Sequence, residues 1–323
     1  MLSRDSLTYK REVQVVKSAP ERDQDLRYAA QMTNAQFSAL ALHLSQDKVR
    51  NELQVMLGDR RPHHGRLAEA SEVRRWLLNG WNTELLLGAN SRTLHEDGLR
   101  HSLHWAFPQA YYSAYALCVA FFRSVGMSED SHSAVIRRFG SEVAAGKYPP
   151  ALRVLAHGYP PSVSGVGPTG MRSTGDFDPN APGTINGQMA QFLSATRKID
   201  LKEKKSDFKL KTKTGAPRQK FRNEDWQIVS ERLGYTSLLS LLYRKRIKAN
   251  YRDIDTFLST DIDVNQLYDD LKQIVASLNL VHEAFVAFAL GVPLLDGALE
   301  ALPGNEKAGP RQRIDLVRSI LAK

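Results

Sequence analysis

A guanidinium and an imidazole one helical turn apart are the side chains of this sequence best suited to act on a phosphate. Arg holds negative charge that develops on phosphoryl oxygens, and His moves protons near neutral pH. Three Arg/His pairs have three intervening residues: Arg60 with His64, Arg100 with His104, and Arg153 with His157. Arg100 and His104 stand just before an aromatic-rich stretch, where their spacing puts both on one helix face, able to address one phosphate together. The competing reading is structural, with His104 capping or packing beside Trp105 and Arg100 solvated. His63-His64 has no third ligand at metal-site spacing, so neither zinc nor another cofactor is expected. No Gly-rich phosphate loop, Gly-x-Ser-x-Gly elbow, His-Glu-x-x-His helix or dinucleotide fingerprint is present.

A second kind of chemistry lies in the charge distribution. The chain has 44 Lys/Arg and 35 Asp/Glu, a formal charge of +9, yet residues 197–222 alone hold eleven basic and three acidic residues. The rest is nearly neutral. Arg197, Lys198, Lys202, Lys204, Lys205, Lys209, Lys211, Lys213, Arg218, Lys220 and Arg222 form a cationic stretch interleaved with Phe208 and Phe221. On a mobile segment such residues attract a polyanion, because each phosphate contact releases counterions and a ring beside a cation stacks on an unpaired base. RNA or another nucleic acid is the expected partner. The same residues also fit a solvated linker or, over the Lys/Thr alternation 209–214, a short exposed β-ribbon.

The elements that position these residues are mostly helical. Apolar residues recur at three- and four-residue steps over 23–58, with Gly58 as a stop, and a second helix pair, or one helix bent near Gly80, is expected over 67–87. The strongest helix candidate spans 99–126, with Leu103, Phe107, Tyr111, Ala114, Cys118 and Phe121 on one stripe. Pro108 inside it requires a kink or a start near that residue. A helix over 130–145 opens on caps between Ser128 and Ser131, and another long one is expected over 261–290. Residues 158–185, rich in Gly and Pro, read as an irregular excursion.

With 42% hydrophobic residues the chain buries a core, which excludes wholesale disorder. Cys118, the single cysteine, excludes a disulfide framework and is expected to pack in the core. The N-terminal residues mix both charge signs without an apolar region, and the longest unbroken apolar stretch, 114–122, stops at Arg123, so neither a signal peptide nor a membrane span is expected. A cytoplasmic chain follows. The organisation expected is an N-terminal helical segment (1–65), two halves of a bundle (66–157 and 224–292) around an irregular loop and basic insertion (158–223), and a C-terminal tail helix (293–323).

The run 110–126, with Tyr111-Tyr112 and the following Ser131-His132-Ser133, resembles the central helix pair of HEPN-domain proteins. The block 241–255, with Arg246, Asn250, Tyr251 and Asp253, is similar to the turn before that family's last core helix. The likeness covers about half the chain. It implies an all-α, HEPN-like antiparallel helical bundle carrying a long Gly/Pro loop and a basic insertion. It also implies RNA-directed roles, frequent in toxin–antitoxin and phage-defence systems, often as dimers, with an antitoxin or other protein as possible partner. The family's ribonucleases carry an Arg followed by four to six residues and a His, and cleave without a metal. That motif is absent here, and the near misses have three intervening residues. The candidate catalytic residues are therefore Arg100, His104, His132 and Arg246. For His132 the competing role is a helix-start hydrogen bond, and for Arg246 with Asn250, Tyr251 and Asp253 a structural polar cluster. The functional alternative to a ribonuclease is a catalytically inactive HEPN-like interaction or regulatory subunit.

Overall fold

A computed structural model describes residues 19–58, 70–129, 131–167, 177–208, 220–251, 262–303 and 308–322. Among them are eleven α-helices: α1 (Ala19–His43), α2 (Gln46–Gly58), α3 (Ala70–Thr93), α4 (Glu96–Ser124), α5 (His132–Ala144), α6 (Pro182–Lys204), α7 (Asn223–Leu233), α8 (Leu238–Tyr251), α9 (Val264–Leu290), α10 (Val292–Glu300) and α11 (Ala308–Leu321). The all-α bundle is thus the architecture, built around α4, which packs against α3, α8 and α9.

Local rules set the helix ends. Ser131 caps α5, its Oγ accepting from the Ala134 amide at 3.2 Å, and Asp263 caps α9 through the Gln266 amide at 2.9 Å. Gly234 and Gly291, with φ of +74° and +89°, close α7 and α9 in a positive-φ conformation open to glycine. The helical periodicity over 23–58 is divided between two helices, α1 and α2. At the break, the carbonyls of Ala41 and Leu44 are taken by Gln273 and Ser277 of α9, and the His43 ring bonds the Ala151 carbonyl at 2.9 Å. Side chains from a distant helix there replace the intrahelical bonds.

The second segment is one helix and not a helix pair, and Gly80 does not interrupt it. This residue lies inside the continuous α3, where a Cβ would sit 1.9 Å from Leu117 Cδ2 and 3.2 Å from the Ser113 carbonyl oxygen. Glycine is there because α3 and α4 approach closely, and Ser113 Oγ donates to the Gly80 carbonyl at 2.9 Å. Pro108 lies within α4, which starts twelve residues earlier.

The excursion at 158–185 is more ordered than its composition suggests. Leu155–His157 (β1) and Ser162–Ser164 (β2) form an antiparallel hairpin, and Ala156 exchanges backbone bonds of 2.8 and 2.9 Å with Thr236 before α8. α6 already begins at Pro182. Residues 168–176 lie outside the described residues.

Correction is also needed for the basic stretch, which is not one free arm. Residues 197–204 complete α6, and Lys205–Asp207 add a 3₁₀ turn. Arg197 is fully buried rather than presented to solvent: its guanidinium donates to Gly158 O, Gly234 O, Ser230 O and Ser230 Oγ, tying the hairpin turn to α7. Five donors on a planar fork fit such a set of inward-facing acceptors.

The core also holds a charged network. Arg313 of α11, 3% exposed, bonds Glu84 of α3 at 2.6 and 2.7 Å and Glu283 of α9 at 2.9 Å, while Trp81 Nε1 donates to Glu283 at 2.7 Å. Each buried charge has an opposite partner, which is what its burial requires. One further apolar stretch stands against the expectation of no spanning-length segment: α9 is long and apolar enough to cross a membrane by length and composition, with 78% of its most apolar window buried inside the bundle. Cys118 is fully buried, as expected.

Candidate functional site

His132, the first residue of α5, sits where α4, α5 and α8 meet. Tyr111 and Tyr115, one turn apart on α4, and Tyr243 on α8 surround its ring, with centroid distances of 5.6, 4.4 and 6.1 Å. Tyr112 lies edge-on at 5.8 Å. The Tyr111 hydroxyl is 2.8 Å from His132 Nδ1. One turn beyond Tyr243, Arg246 places its guanidinium carbon 4.8 Å from the Tyr112 ring centre, 5.6 Å from Tyr243 and 5.7 Å from Tyr111. His132 and Arg246, 114 positions apart in the sequence, thus share three tyrosines.

The electrostatics follow from this packing. Burial, and then the positive charge of Arg246, hold the His132 pKa below its usual 6.5, so the imidazole is neutral at pH 7. Burial, with Tyr115 and Tyr243 adding to it, pushes the Tyr111 phenol well up, and it stays protonated. Arg246 Nε is buried without a hydrogen-bond acceptor, and no carboxylate pairs with this guanidinium among the described residues. Tyr112 is 36% exposed and gives the cluster a face to solvent. The arrangement is a neutral imidazole and a cation held by aromatic walls, able to exchange a proton and to hold an anion.

Arg100 and His104 occupy the first half of α4, away from this cluster. Arg100 bonds Glu96 at 3.1 Å and the Ile262 carbonyl at 3.4 Å, and the His104 ring lies 5.5 Å from that of Trp105. His104 and Tyr111 are seven positions apart, a rise of about 10 Å along α4. The structure therefore brings together His132 and Arg246 and does not bring Arg100 and His104 to them.

Among the cations of the basic stretch, Lys198, Lys202, Lys204, Lys220 and Arg222 are exposed. Lys204 pairs with Asp207 at 2.8 Å, and the Arg222 amide donates to Asp225 Oδ2 at 2.8 Å to start α7. Lys205 lies 4.9 Å from the Phe221 ring and 5.9 Å from Trp226, which stacks on Tyr159 at 5.0 Å. Lys209, Lys211, Lys213 and Arg218, with the Lys/Thr alternation, lie outside the described residues, as do His63, His64 and Asp253. The side chains of Asn250 and Tyr251 are also outside them.

Tyr115 and Tyr243 belong to the site although the helical stripe marks Tyr115 as core and nothing in the sequence singles out Tyr243. The available signal is spacing: Tyr115 follows Tyr111 by one turn, and Tyr243 precedes Arg246 by three residues. Among the described residues no group of three or more His, Cys, Asp or Glu stands together to hold a metal ion. No family model matches the chain, and no curated protein or solved structure is significantly similar to it.

Proposed function

We propose that the chain is a HEPN-like RNA-binding protein that cleaves RNA without a metal, using His132 and Arg246 on one phosphate. The observation that carries this reading is the meeting of His132 and Arg246 over Tyr111, Tyr112 and Tyr243. In the tautomer that donates Nδ1–H to the Tyr111 oxygen, Nε2 carries the lone pair of a general base. It takes the proton of a 2′-hydroxyl as that oxygen attacks the adjacent phosphorus. The 5′-oxygen leaves, receives the proton from His132, and the product strand ends in a 2′,3′-cyclic phosphate. Arg246 holds the negative charge that builds on the non-bridging oxygens. The exposed lysines of α6 supply sequence-independent attraction for the rest of the strand.

The test is cleavage of an end-labelled RNA by the purified full chain. His132→Ala and Arg246→Ala are each expected to slow cleavage by about 100-fold or more, with helical content unchanged by circular dichroism. A 2′-deoxy substitution at the cleaved position should stop the reaction. Undiminished cleavage by both variants overturns the assignment. Binding of RNA by the wild type without any cleavage selects the catalytically inactive interaction subunit instead.

A further inference from the structure

A cavity of about 170 Å³ opens where the ends of α2, α4 and α9 meet the turn after α5. Phe121, Tyr148 and Phe285 line it and pack on one another, with ring centres 4.8, 5.3 and 6.2 Å apart in tilted and edge-on pairs. Leu57, Val125 and Phe288 add hydrocarbon to the lining. Its charged side chains are Glu142 and Lys147, and the Tyr148 hydroxyl is engaged elsewhere, 3.3 Å from Nε2 of the buried His282. We infer that this cavity binds a small aromatic carboxylic acid, its ring among the phenylalanines and its carboxylate on Lys147.

The size selects a single ring. An apolar cavity of about 150 Å³ takes up benzene, whereas sites for drug-sized ligands run to about 300–1,000 Å³. Rings packed edge-on and tilted offer both faces and edges to a guest ring, an attraction that a saturated chain of similar length does not receive.

The charge comes from the turn that follows α5. Glu142, with its side chain 9% exposed, lies 2.9 Å from Arg138 Nε and 2.7 Å from Lys147 Nζ. One carboxylate is thus shared by two cations, and a positive charge is left over. Lys147 is the more exposed of the two, at 56%, and an ammonium has three N–H donors, of which Glu142 takes one. A guest carboxylate on Lys147 restores the balance, whereas a guest amine meets like charge. The mouth is also set in advance. Gly146, with φ of +75°, turns the chain after α5, and the Arg153 guanidinium donates to the carbonyls of Gly146 at 3.1 Å and Tyr148 at 2.8 Å. Holding this turn before a ligand arrives removes part of the ordering cost of binding. The cavity shares no lining residue with the His132 cluster, so its ligand is independent of RNA cleavage.

The experiment is an NMR titration of the full chain with 3-phenylpropionate, read on the ligand signals, with 3-phenylpropanamide and hexanoate as separate probes. The propionate should bind with a Kd on the order of 0.1–1 mM, and the amide and hexanoate each at least about fivefold more weakly. Lys147→Met should weaken the propionate by about tenfold and leave the amide unchanged, a split that a loss of folding does not produce. Val125→Trp fills the cavity from the end of α4 and should weaken every probe, with the helices intact by circular dichroism. Absence of saturable binding up to about 10 mM overturns the assignment. So does equal affinity for propionate and amide, hexanoate binding as tightly as the propionate, or an unchanged propionate affinity in either variant.

Discussion

His132 and Arg197 show how burial divides residues of similar chemistry between roles. His132 is partly buried among rings, and its neutral form is favoured by that burial and by Arg246. A base must be deprotonated to act, and a lowered pKa means it is deprotonated at lower pH. The acidic limb of the cleavage rate against pH should therefore have its midpoint below 6.5, and Arg246→Gln should move it upward as the neighbouring charge is removed. Arg197, in contrast, spends its donors on internal carbonyls and a hydroxyl. Arg197→Met should cost about 3 kcal/mol in chemical denaturation while leaving the salt dependence of RNA binding unchanged. Charge reversal at exposed Lys198 and Lys202 should do the opposite, with little change in stability. The slope of log affinity against log salt should fall by about 0.7 for each phosphate that is no longer neutralised.

Between elements, the position of the site depends on how closely α4 meets its neighbours. α4 has Gly80 of α3 on one side and carries Tyr111, Tyr112 and Tyr115 toward α5 and α8 on another. A side chain at position 80 must displace Leu117 and meet the Ser113 carbonyl and Ala116, so Gly80→Val should destabilise the protein by about 1–3 kcal/mol. Urea denaturation followed by far-UV circular dichroism checks this. A normal midpoint in that variant would mean that the two helices are not held at this spacing. α11 is held by different means, since Arg313 joins it to Glu84 and Glu283 in a buried network. Removing Arg313 leaves two carboxylates without their cation, and Arg313→Ala should cost about 3–5 kcal/mol in the same assay.

Over the whole molecule, a half-buried histidine, His43, and a fully buried one, His282, make stability depend on pH. Burial, then Lys48, lowers the His43 pKa to about 4, and burial lowers that of His282 to about 3. Both are neutral in the folded state at pH values where the unfolded chain, with histidines near 6.5, takes up protons. Their contribution is fully present above 6.5 and is lost as pH falls from 6.5 toward 4, at up to about 1.4 kcal/mol per pH unit for each residue. Buried acids such as Asp200 and Asp270, with pKa values raised chiefly by burial, act in the opposite sense. The difference between wild type and His43→Gln/His282→Asn isolates the histidine part: the variant should show a flatter loss of denaturation free energy between pH 6.5 and 5. Parallel curves would remove this account.

Much of the fold was legible locally. Periodicity at three and four residues placed the central helix, Ser131 announced the start of α5, and Cys118 on the apolar stripe pointed to its burial, because helix formation, capping and amphipathicity act over a few residues. The candidate residues were named without their grouping: the resemblance singled out His132 and Arg246, which the fold places around shared tyrosines, while Arg100 and His104, adjacent by spacing, lie elsewhere along α4. Whether Arg197 faces solvent or a ring of carbonyls, and that Gly80 admits a neighbouring helix, were decided by packing. The sequence by itself determined most of the helical segments, though not α6 within the Gly/Pro and basic stretches, and where charge accumulates. The tertiary structure alone decided which charges are buried, and which rings come together around His132, because burial and packing depend on residues brought together from distant parts of the chain.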